Sequence, residues 1–362
     1  MYENNDNYGG TMLILNDIHA AVQRVAGTTP ATQAALRQYV RDNLESLLRY
    51  GDREVTVNGD LFDGFSVESH ELVKVFDIFS KWLEGNFHRR LNLVGGNHDF
   101  SAKGDRLSSF HMLGHFLREM HPGKVEVYDK GFTKIHDNVW CIPHQLNKDL
   151  FNIEVQRAAD TNVSGDYLLL HSNYKNGHAE NSDHSLNLND EQVGNLLRAG
   201  WNLVLGHEHV GYTLRGERVI VVGNQFPTSV ADCIGDEVKH CMRIENGKHE
   251  FIETWHSEGN YLEVDWQSLR DGTAEIGEQQ FIRITGEAKA DQAADVVNVV
   301  AKFRQTSEAL VIGNAVKVEG QVVFDEMALE STESIKAFDV LNAIYSQLEP
   351  REVEVVRSLI SC

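Results

Sequence analysis

The chain has 362 residues, 33 of them Lys or Arg and 54 Asp or Glu, and the resulting net charge of −21 argues against an unassisted, sequence-blind grip on polyphosphate. At 41% apolar and 24% charged it has the makeup of a folded soluble protein, with length enough for one large α/β domain and a smaller one. No apolar run approaches the roughly 18 residues of a membrane span, and the opening MYENNDNYGG lacks the basic and apolar regions of a targeting segment.

From residue 12 to about residue 225 one theme recurs, a short apolar run that ends in polar residues. TMLIL is the first such run, and a helix is expected from Thr29 to Tyr50, with a Thr cap, Pro30 in the first turn, Leu36, Val40, Leu44 and Leu47 on one stripe, and Gly51 as stop. EVTV, a helix over Glu68 to Glu84, RLNLV, a helix over Leu107 to Met120, then DYLLL, WNLVL and RVIVV complete the alternation, which implies an α/β domain over 1–265. The stretch SEGNYLEVDWQSLRDGTAEIGEQQ reads as a polar transition. Beyond it QFIRIT, a helix from Asp291 to Arg304, and ALVIGNAVKVEG read as a βαβ module over 279–330. Two helices over 331–362 carry Ile335, Phe338, Leu341 and Tyr345, then Val353, Val356 and Ile360, on single faces, and these serve either as a docking face for a partner or as packing on the module itself. Cysteines at 141, 233, 241 and 362 form no CxxC pair, so reduced thiols in an intracellular, cytoplasmic setting are the economical expectation.

The chemistry lies at the ends of five runs: Asn16-Asp17-Ile18-His19, Gly59-Asp60-Leu61-Phe62-Asp63, Gly96-Asn97-His98-Asp99, His171 and Gly206-His207-Glu208-His209. Residues just past the carboxyl ends of strands in an α/β sheet converge on one crevice. Asp17 and His19, like His207 and His209, are two apart, which on an extended segment turns both to one side, each pair gripping one metal region. Asp17, His19, Asp60, Asn97, His171, His207 and His209 outnumber the ligands of one tetrahedral ion and suit two ions with Asp60 as bridge. Oxygen and imidazole donors without thiolate fit Mn, Fe or Zn better than Ca. Two ions would supply the positive charge the chain lacks and serve in-line attack on a phosphoester, with His98, held by Asp99, as proton donor and Asp63 orienting a ligand from behind.

DxH, GDxxD, GNHD, an isolated His and GHxH in this order resemble the calcineurin-like metallophosphoesterase superfamily, and within it most closely the nucleases of the Mre11 and SbcD type, phage counterparts included. The resemblance implies a four-layer α-β-β-α sandwich with a small C-terminal α/β cap, and a two-metal site that prefers manganese. One ion would take Asp17, His19, Asp60 and His209, the other Asp60, Asn97, His171 and His207, with His98 catalytic. DNA as substrate and a Rad50- or SbcC-like ATPase as partner, docked on the terminal helices, follow from the same likeness, as does a homodimer. Asp63 stands where some of these nucleases have a second catalytic histidine, and the acidic charge is the other departure, reconciled if Lys103, Arg106, Arg89 and Arg90 gather on one face or if the partner binds DNA.

Other histidines read as structural. His111 and His115 share a helix face without an HExxH context, and His144, His178 and His184 are solvated loop residues or line the substrate path. Gly223-Asn224-Gln225 either approaches the site by its backbone or forms a plain turn. The rival function is a phosphatase or nucleotide phosphodiesterase for small or protein-bound phosphates. GDLFDG and GNHD differ from the GDxVDRG and GNHE of protein phosphatases.

Overall fold

A computed structural model describes residues 11–23, 29–100, 106–174 and 186–319. Lys103, His178, His184 and the expected terminal helices lie outside the described residues.

All six apolar runs form strands, split between two six-stranded sheets. The first runs in the order Lys248–His256, Val238–Glu245, Met12–Leu15, Glu54–Asn58, Arg90–Val94, Val125–Tyr128. Its last four strands are parallel, and the hairpin Val238–Glu245/Lys248–His256 joins antiparallel to Met12–Leu15. The second runs Tyr212–Leu214, Val219–Val221, Asn202–Gly206, Tyr167–His171, Val139–Ile142, Thr133–His136, parallel in the middle with an antiparallel strand at each edge.

Side-chain alternation along these strands builds the layers. Met12, Ile14, Val94, Leu169, Val204, Ile220 and Met242 form one buried cluster between the sheets. Leu13, Val55, Val57, Leu91 and Leu93 point the other way, onto the helices Pro30–Leu47, Ser69–Glu84 and Ser109–Met120. Leu168, Leu170, Leu203 and Leu205 do the same for Lys148–Ala159 and Asp190–Arg198. The result is the four-layer α-β-β-α sandwich. In the first helix Thr29 accepts from the Thr32 backbone N–H, and its own N–H donates to Thr32 Oγ1 at 2.7 Å. Leu36, Val40, Leu44 and Leu47 are all buried, each contributing about 1.5–3 kcal/mol.

The stretch read as a polar transition is ordered. It carries the strand Tyr261–Asp265 and the helix Trp266–Asp271, and that strand pairs in parallel with Phe281–Thr285, itself paired with Val311–Asn314. The three-stranded sheet and the helix Ala293–Thr306 share their own buried cluster around Trp266, Ile282, Ile284 and Val300. The small module therefore starts before residue 279, and the strand that opens it falls inside the 1–265 segment. Phe281 and Val311 pack into the main core, with the Phe281 ring 5.8 Å from Tyr39. Among the described residues no helix is long and apolar enough to cross a membrane.

Candidate metal centre

The first sheet delivers Asp17, Asp60 and Asn97 just beyond its strands Met12–Leu15, Glu54–Asn58 and Arg90–Val94, while the second delivers His171 at the end of Tyr167–His171 and His207 just after Asn202–Gly206. The two sheets approach closely here because Gly59 and Gly206 carry no side chain. A Cβ on Gly206 would stand 2.8 Å from the Asn58 carbonyl, and one on Gly59 would meet the His171 ring.

The loops are sharply bent. Asp17, His19, Asp60 and His207 have φ of 50°, 48°, 49° and 86°, the left-handed region that non-glycine residues avoid and that concentrates at functional sites. The expectation that Asp17 and His19 share a side because the segment is extended is therefore wrong in its reason, although the two do meet. The pair His207 and His209 divides. His209 joins Asp17 and His19 in one group of donor atoms within 4.8 Å of one another, and His207 joins Asp60 and His171 in another. A third group, His19, Asp60 and His98, makes Asp60 common to both halves of the cluster. Asn97 Oδ1 completes the second half, 2.8 Å from His171 Nε2 and 2.9 Å from His207 Nδ1.

His98 is at the rim, its side chain 23% exposed, with Nε2 3.9 Å from Asp60 Oδ2. Its Nδ1 faces the Asp63 carbonyl at 3.0 Å, and its backbone N–H donates to Asp60 Oδ1. Asp99 does not hold it, contrary to the sequence expectation. The Asp99 carboxylate is turned inward, accepting backbone N–H groups of Gly96, Leu61 and Phe62 and so tying the two motif loops together. Asp63 has a double role, its carboxylate 3.2 Å from His19 Nδ1 and its carbonyl on His98. Asn224 meets the site by its backbone, its N–H donating to the His209 carbonyl at 3.2 Å.

Sequence reasoning missed Asp232, whose Oδ1 stands 2.6 Å from His209 Nδ1, because it sits in a 3₁₀ turn, Ala231–Cys233, that no strand-end rule finds. His111 is tied to Ser108 Oγ and faces Asp129, and the His144 ring stacks on Phe100. Arg89 donates to the Trp82 carbonyl and lies over the Trp82 ring, and Arg90 starts the strand whose far end leads to Asn97, so neither joins the rim.

Residues 10–219, more than half of the chain and the whole of the ligand cluster, match the family of calcineurin-like phosphoesterases. The chain belongs to that family. No curated protein matches it. The reaction class of this phosphoesterase is metal-dependent hydrolysis of a phosphoester.

Its donor set fits divalent ions. With carboxylates facing Nδ1 of both His19 and His209, the two Nε2 atoms bear lone pairs that face each other at 3.0 Å, a repulsive contact that a cation converts to an attractive one. The electrostatics agree. Burial lowers His19 to about 4, against the pull of Asp63, and burial with the neighbouring His171 lowers His207 to about 3, so both rings are neutral at pH 7 and have a lone pair to offer a cation. Burial works against charge on His171 as well, but the Asp60 carboxylate beside it wins and raises it to about 9. Burial would raise Asp60, yet His171 and His98 hold it well below the ordinary carboxylate range. Burial raises Asp17 to about 6 and Asp99 to about 7, the latter reinforced by the Asp60 charge.

Proposed function

We propose that this phosphoesterase is a two-metal phosphodiesterase that works as a DNA exo- or endonuclease subunit in recombination, repair or degradation, with an SbcC-like ATPase as partner. The observation that carries the two-ion reading is Asp60, shared by two donor groups with His98 alongside. Asp17, His19, Asp60 and His209 would hold one ion, and Asp60, Asn97, His171 and His207 the other. Bound there, divalent ions neutralise phosphate oxygens and acidify water. GDLFDG and GNHD, in place of the protein-phosphatase signatures, and the extra three-stranded module after the sandwich support a phosphodiester of DNA.

The chain's own residues then act as follows. The Asp63 carbonyl accepts from His98 Nδ1–H and so sets the ring with Nε2 at the rim, from which the imidazolium form would give its Nε2 proton to the departing oxygen and be left as the neutral Nδ1–H ring. Asp63 at the same time fixes His19, and Asp99 keeps the Gly59 and Gly96 loops in register. With a charge of −21, DNA affinity without the partner is modest and salt-sensitive.

The test is Mn-dependent release of nucleotides from end-labelled linear duplex DNA by the protein with its ATPase partner. Intact DNA alongside rapid turnover of small phosphoesters overturns the nuclease reading. The acidic charge favours the second reading, a phosphatase or nucleotide phosphodiesterase for small substrates. A chromogenic phosphodiester and phosphomonoester, compared side by side, separate the two.

A further inference from the structure

His209 is gripped twice by a segment beyond residue 219, where the family match ends. Its ring is held by Asp232, which is 3% exposed. Asp232 Oδ2 accepts from the Thr228 N–H at 2.8 Å, the Ser229 N–H at 3.0 Å and Thr228 Oγ1 at 3.1 Å, and Ser229 Oγ in turn accepts from the Asp232 N–H. Three donors on one oxygen fix the carboxylate plane and aim Oδ1 at His209 Nδ1, 2.6 Å away, a charge-assisted distance.

The main chain of His209 is held by Lys239, which is 1% exposed. Its Nζ donates to the His209 carbonyl at 2.8 Å and to Asp236 Oδ2 at 2.9 Å, and Asp236 Oδ2 also accepts from the Gly211 N–H. A buried ammonium is costly unless paired and hydrogen-bonded, so its place under this loop calls for a reason. The register of the long hairpin slips at Lys239/His240, the kind of bulge that re-aims a side chain.

We infer that Asp232 and Lys239 are positioning residues, which hold the His209 ring and backbone so that Nε2 meets His19 Nε2 across the first ion's place, and that this chain therefore completes its metal centre with residues outside the family-matched segment. The inference rests on the ligand reading above. Asp232 does for His209 what Asp63 does for His19, and together they fix which nitrogen of each imidazole is left to bind. Asp232 and Lys239 touch neither substrate nor ion; they act through His209.

The experiment is calorimetric titration of the chelator-stripped full chain with Mn²⁺ alone, with the thermal midpoint of the stripped protein recorded for each variant. Wild type is expected to bind two ions in resolvable steps. In Asp232→Asn one step weakens about 10- to 100-fold while the other and the stripped midpoint stay unchanged. Thr228→Val, which removes only the hydroxyl on Asp232 Oδ2, shifts the same step by less, and serves if Asp232→Asn does not fold. Lys239→Met weakens that step too. Two undisturbed steps in the variants overturn the inference, as does an equal loss in both steps with a lowered midpoint, which marks a merely structural role. A wild type that binds no pair of ions overturns the ligand reading instead.

Discussion

Gly59 lies so close beneath His171 that a Cβ added to it would stand 2.0 Å from the imidazole Nδ1. With a φ of 89° the position also disfavours any side chain on backbone grounds. Gly59→Ala is expected to lower stability by about 1–3 kcal/mol in denaturant titration and to cut phosphodiesterase activity sharply, although no polar group is removed. Wild-type activity with wild-type stability would show that the strand ends do not clamp His171.

His98 reaches the rim while its Nδ1 is tied to the Asp63 carbonyl. His98→Ala should reduce kcat on a phosphodiester about 10²- to 10⁴-fold, with KM and bound metal almost unchanged. Steady-state kinetics beside elemental analysis decides this, and a kcat within threefold of wild type removes His98 from proton transfer.

Asp60 belongs both to the donor group of His171 and His207 and to that of His19 and His98. Asp60→Asn keeps the shape and deletes the charge. It should weaken both manganese steps, whereas His207→Ala should weaken one. Retention of two tight ions in Asp60→Asn would contradict a shared carboxylate.

Metal affinity should climb with pH. His171 binds a cation only as a neutral ring, and Asp60 raises it to about 9, so below that value an incoming ion must displace a proton. Affinity therefore falls about tenfold for each pH unit below about 9, more steeply below about 6 where Asp17 also takes a proton, and levels off above about 9. Titrations in two buffers of different ionisation enthalpy measure the released proton, and a flat affinity between pH 6 and 9 refutes the account.

The six core strands were legible because parallel strands buried on both faces leave continuous apolar runs such as Leu168-Leu169-Leu170. The long hairpin was not, since its outer strand Lys248–His256 alternates with charge and is largely exposed. Its one clear signal is Asn246-Gly247, both at positive φ, the turn pair that favours hairpins. Tyr261–Asp265 was hidden for the same reason, with Val264 its one buried residue. At the candidate metal centre, motif order anticipates which side chains the fold gathers, while the local geometry does not follow from spacing. Left-handed kinks at Asp17, His19 and His207 replace the extended segments that spacing implies. Asp99 and Asp232 show the remaining limit, because which carboxylate faces which imidazole depends on loop paths that residue types alone do not encode.

Because Asp17, Asp60 and Asn97 come from one sheet and His171, His207 and His209 from the other, any cation seated among them fastens the two halves of the sandwich at their rim. Loading then acts as a rivet: occupancy and cohesion rise together, and the melting temperature becomes a gauge of how many ions are in place. A cell short of the preferred metal would hold a phosphoesterase that is at once idle and easier to degrade.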